Sequence, residues 1–102
     1  MIWKNISWKD AQILVEYNKY IFVDLREEED YNRGHFAGAI NIPYYKLFSN
    51  DKNIKRDEII RAFRNKIPVF YCERGGNSML AARKCAALGI NAYSVIGGFK
   101  AY

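Results

Sequence analysis

The chain alternates short, unbroken apolar runs with longer stretches in which apolar positions recur at helical spacing. Tyr20-Ile21-Phe22-Val23-Asp24-Leu25 is rich in β-branched and aromatic residues and predicts a buried strand. Ile67 to Tyr71 and Ala92 to Ile96 predict two more, and Ala39 to Ile42 predicts a short fourth, ended by Pro43. Helical patterns lie between them. Ser7 can cap a helix carried by Ala11, Leu14 and Val15, with Asp10 placed to reach back as in a capping box. Arg26 to Asn32 is polar and acidic and reads as a loop with a short helix, and Tyr44 to Phe48 as a helical turn. Asp57 to Asn65 sets Ile59, Ile60 and Phe63 on one side of a helix. Ser78 to Leu88 is Ala-rich and helical, with Gly89 as its stop, and Gly97-Gly98 turns the chain. Strands alternating with helices in this way predict an α/β domain with a mainly parallel sheet.

A length of 102 residues, half of them hydrophobic, fits a single domain over 1–102 that builds its core without staples. There is no apolar run long enough to span a bilayer, and Met1 to Asn5 does not open a signal peptide, so a cytoplasmic protein is expected. Cys72 and Cys85 allow one disulfide, but in a reducing compartment it is not expected as a structural staple, so at least one thiol is expected to be free. The formal charge of +5 invites nucleic acid as a partner, but the basic residues are scattered. Their only concentration, Lys52 to Lys66, also holds Asp57 and Glu58 and reads as a solvated helix face, so neither nucleic acid nor membrane is the expected partner.

The chemistry concentrates where a strand ends at Cys72 and a Gly-containing loop leads into a helix. Ligand sites of parallel α/β sheets lie outside the carboxyl ends of the strands. Gly75 and Gly76 allow successive N–H groups to turn inward, and the helix beginning near Ser78 adds unpaired donors and the positive end of its dipole. Such a cradle stabilises negative charge on sulfur and suits a nucleophile. The alternative is a buried structural thiol, although Glu73-Arg74-Gly75-Gly76-Asn77-Ser78 is poor material for a core.

Tyr71 to Ser78, with Ala81-Ala82 and Leu88-Gly89, resembles the active-site loop and following helix of rhodanese domains. Asp24-Leu25-Arg26-Glu27 with Tyr31, and Gly34 to Pro43, resemble that family's upstream signature; Gly97-Gly98-Phe99 with Tyr102 is similar to its closing motif. The resemblance implies a three-layer domain with helices on both sheet faces and a sulfurtransferase that uses neither metal nor cofactor. Cys72 would take a sulfane sulfur from a small anionic donor such as thiosulfate, or from a persulfide. It would pass the sulfur to a thiol, a protein cysteine or cyanide. The loop from Glu73 through Arg74, Gly75, Gly76 and Asn77 to Ser78 would bind the substrate through its backbone and rim, with Asp24 and Arg26 in support. Many members carry Arg where this chain has Asn77; Arg74 is expected to replace part of that charge, whereas Glu73 disfavours a dianionic donor if it faces the pocket.

Two rival functions remain at this stage. A non-catalytic binding or regulatory module would keep the fold without the chemistry. A phosphatase or arsenate reductase would need a longer loop, with an Arg at its far end where Asn77 and Ser78 stand. His35 reads as structural and Cys85 as a core thiol on the Ala81–Leu88 stripe; Tyr44 and Tyr45 either line the pocket mouth or pack.

Overall fold

A computed structural model describes residues 2–48, 58–59, 61–63 and 65–102. Among the described residues five strands, β1 (Trp3–Ile6), β2 (Tyr20–Asp24), β3 (Ile40–Asn41), β4 (Ile67–Tyr71) and β5 (Ala92–Val95), form one sheet in the order β1-β5-β4-β2-β3. Every pairing is parallel. Parallel neighbours require crossover connections, which the helices supply: α1 (Trp8–Leu14), α2 (Glu28–Arg33), α3 (Tyr44–Leu47) and α4 (Gly76–Ala87). Residues 58–59 and 61–62 are also helical; of the helix expected over Asp57 to Asn65, Asp57, Ile60 and Arg64 lie outside the described residues.

Strand alternation assigns side chains to two cores. Val23, Leu25, Phe70 and Cys72 point to one face, where Ala81, Ala82 and Cys85 of α4 pack with Leu47, Ile59 and Phe63. Phe22, Val69 and Tyr71 point to the other, against Ala11 of α1 and against Phe36, Trp8 and Phe99. The sheet is thus covered on both sides and α/β in class.

Two sequence expectations are corrected. Trp3–Ile6 forms an edge strand that the sequence reading did not contain; its two middle residues are exposed, which leaves too little apolar pattern to read. The helix after the loop starts at Gly76 rather than near Ser78, because Gly75 takes a left-handed conformation (φ 105°) as its cap and turns the chain early. Ser7 accepts a hydrogen bond from the Asp10 amide (3.1 Å), which fixes the start of α1.

Candidate active site

Cys72 follows the last residue of β4, the central strand, and opens the loop into α4. The residue is 5% exposed. The Gly75 amide donates to Cys72 Sγ at 3.0 Å, and the left-handed Gly75 backbone turns that N–H back toward the sulfur. Ser78 is fully buried beneath the loop rather than on its rim. Its hydroxyl donates to the Gly75 carbonyl (3.0 Å), shares a hydrogen bond with Ser94 Oγ (2.8 Å) and lies 3.7 Å from Cys72 Sγ. The turn is therefore pinned to both α4 and β5.

A second brace comes from Phe99–Ala101, a short turn of 3-10 helix. The Phe99 amide donates to the Cys72 carbonyl (2.7 Å) and the Lys100 amide to the Glu73 carbonyl (3.0 Å). This approach is possible only because Gly98, at φ 66°, has no side chain: a Cβ there would meet the Cys72 carbonyl oxygen at 2.5 Å and the Arg74 nitrogen at 2.6 Å. The Gly98 carbonyl in turn accepts from Trp8 Nε1 at 2.8 Å. The sequence shows Gly97-Gly98 as a turn, but its contact with the loop is a property of the folded chain.

On the opposite side stands a buried ion pair. Asp24 is fully buried; its carboxylate accepts from the Arg26 amide (2.8 Å), from Nε (3.1 and 3.2 Å) and from Nη2 (2.8 Å). Arg26 Nη2 also donates to the Gly34 carbonyl (2.6 Å), and the guanidinium lies 4.1 Å from the Phe99 ring centroid. Burial alone would lower the Arg26 pKa; the hydrogen bonds and charge of Asp24 reverse this and hold it above its ordinary value. Burial, then the bond to Asp24, pushes the Tyr71 phenol far up, and its oxygen accepts from the Phe36 amide at 3.0 Å.

An open cleft of about 330 Å³ reaches Cys72 between these parts, lined also by Leu25, Arg26, Glu27, Asp30, Tyr44, Tyr45, Glu73 and Asn77. Tyr44 and Tyr45, whose place the sequence left open, thus belong to its wall. Arg74 is exposed and is not part of the lining; at the rim its place is taken by Glu73, whose Oε2 lies 3.8 Å from Arg26 Nη1. His35 is exposed, stacks on Tyr31 (3.7 Å between centroids) and is not part of the lining. Cys85 is fully buried, and burial pushes its thiol up to about 12. Among the described residues no cluster of His, Cys, Asp and Glu is placed to hold a metal ion, and no helix is long and apolar enough to cross a membrane.

Among known protein families, the profile of the Rhodanese-like domain matches residues 7–102. The chain is 28% identical over 103 residues to the thiosulfate sulfurtransferase GlpE of Coxiella burnetii, spanning all of this chain and 89% of that protein. It is 38% identical over 85 residues to the M-phase inducer phosphatase cdc-25.2 of Caenorhabditis elegans, but this match spans 74% of the chain and only 16% of the phosphatase. A rhodanese-related protein from Thermoplasma volcanium superposes with a TM-score of 0.73 at 28% identity, covering 96% of this chain and 88% of that one.

Proposed function

Since the chain belongs to the rhodanese-like domain family, we propose that it is a sulfurtransferase that carries sulfane sulfur as a persulfide on Cys72. The observation that carries this reading is the Gly75 amide aimed at Cys72 Sγ from 3.0 Å, at a sulfur that borders an open cleft. A donor N–H so placed complements negative charge on sulfur, both on the attacking thiolate and along the persulfide.

In the first half-reaction the Cys72 thiolate attacks the outer sulfur of the donor. The new S–S bond forms as the donor's S–S bond breaks, and the carrier leaves with the electron pair, as sulfite from thiosulfate or as a thiolate from a persulfide. In the second, an acceptor thiolate attacks the terminal sulfur and Cys72 is released as thiolate. Both leaving groups are stable anions, so neither step requires a general acid at the sulfur.

The likeness to a phosphatase favours a second reading less well. Clamping a phosphoryl group calls for a guanidinium at the far end of the loop. That place is held here by Asn77 and by Ser78, whose hydroxyl is already committed to Gly75 and Ser94. Incubation with a persulfide donor followed by intact-mass measurement tests the proposal. Wild-type protein and Cys85→Ser gain the mass of one sulfur atom, whereas Cys72→Ser gains none, because an alcohol cannot form a persulfide. Sulfur loading of Cys72→Ser, or loss of loading confined to Cys85→Ser, would overturn it.

A further inference from the structure

The lining of the Cys72 cleft is acidic and aromatic, although the chain as a whole carries +5. Three carboxylates, Glu27, Asp30 and Glu73, line it against one cation, Arg26. The charge of Arg26 is already engaged by the buried Asp24, with Glu73 at the longer distance of 3.8 Å. Two further cations stand behind the lining: Arg33 on Asp30 (3.5 Å) and Lys84 on the Tyr44 hydroxyl (3.0 Å). With Asp24 counted, the carboxylates still outnumber the cations. Glu27 makes no ion pair among the described residues and joins Glu28, Glu29, Asp30 and Lys46 in the wall of the adjoining depression.

Two electrostatic effects compete for an approaching donor. The net positive charge of the molecule draws anions from a distance, but at physiological salt charges beyond about 8 Å are largely screened. The carboxylates in the wall of the open cleft stand within that distance of a donor seated at Cys72, so the local sign governs the last step of approach. A carboxylate rim beside the half-exposed ring of Tyr45 is also the environment that receives an alkylammonium group.

Building on the persulfide reading of Cys72, we propose that the cleft selects sulfur donors whose carrier bears a positive charge, or none, next to the persulfide, and discriminates against anionic carriers, thiosulfate included. In the reaction R–S–SH plus the Cys72 thiolate gives the Cys72 persulfide plus R–S⁻; only R differs between donors. The carrier stays in the cleft until the S–S bond breaks, so its charge is felt in binding and in the transition state alike.

An isosteric series isolates that charge: the persulfides of cysteamine, mercaptoethanol and mercaptoacetate are cationic, neutral and anionic at R. Loading of Cys72 is followed by intact mass against donor concentration in wild-type protein and in Glu27→Gln/Asp30→Asn/Glu73→Gln. Wild-type kcat/KM is expected to fall by about threefold to tenfold per step from cation to neutral to anion, with thiosulfate lowest. High salt should compress the series, and the triple variant should flatten it with a gain for thiosulfate. Equal loading by all carriers, or fastest loading by the anionic ones, would overturn the donor selection and leave the persulfide reading standing. A flat series in the wild type that the triple variant does not change would do the same. No loading by any donor would end both.

Discussion

Cys85 ties the stability of the fold to pH. It is enclosed by the core of Ala81, Ala82 and Ile90, and burial pushes its thiol from 9.0 up to about 12. The folded state therefore holds the proton more tightly than the unfolded chain. That stabilisation is complete below pH 9 and is lost as pH rises through about 12. Tyr71, whose pKa is also raised, adds to the same alkaline loss. Urea midpoints should hold steady at neutral pH and fall steadily above pH 9; Cys85→Ala should cost about 1 kcal/mol at neutral pH through lost packing yet give a shallower alkaline decline. A decline of unchanged slope in the variant would exclude Cys85 as its source. Asp24 shows the other side of burial: within the apolar run of Tyr20 to Leu25 its charge is tolerated because Arg26, two residues on, folds back onto it. Both partners are visible in the sequence; that Arg26 also stacks on Phe99 and so touches the brace of the Cys72 loop is not.

The loop from Cys72 to Gly75 is an element shaped from both ends, by α4 and by the 3-10 turn, and Gly98 is the point where the turn touches it. Gly89 provides the control, since it too has positive φ (86°) but open space around its Cβ position. Gly89→Ala should cost about 1 kcal/mol through backbone strain and leave sulfur loading intact. Gly98→Ala should cost about 2–4 kcal/mol and slow loading on the order of a hundredfold, because the loop must shift and misplace the Gly75 amide. Chemical denaturation and loading rates of the two variants check this; equal loading in both would show that the loop does not depend on its brace. The elements themselves were largely legible: β4 falls on the residues expected, and β2, β5 and α1 are within a residue or two. What escaped did so for local reasons. Trp3–Ile6 is half polar and on the edge, and a helix that begins Gly75-Gly76 lacks the Ser, Thr, Asp or Asn that ordinarily announces one.

At the scale of the whole molecule, charge is distributed unevenly in a way that composition hides. Arg26 to Asn32 reads from sequence as a polar, acidic loop with a short helix; only the fold sets Glu27 and Asp30 in the same cleft wall as Glu73. Strand order matters in the same manner. β1 and β5 are neighbours although their partners Trp3 and Ala92 lie near opposite ends of the sequence, and Trp8 meets Gly98 across 90 residues. Contacts of such long range form slowly. The Cys72 loop, local in sequence, is held in shape by pieces remote from it in the chain, and these are expected to meet late in folding. In refolding experiments on Trp3→Phe protein, sulfur uptake at Cys72 should appear only together with the Trp8 fluorescence change, and uptake that precedes it would contradict this order. For a chain emerging from the ribosome, the same geometry makes the Cys72 loop wait on residues 98–100: until they dock, the Cys72 and Glu73 carbonyls lack the amides that brace them.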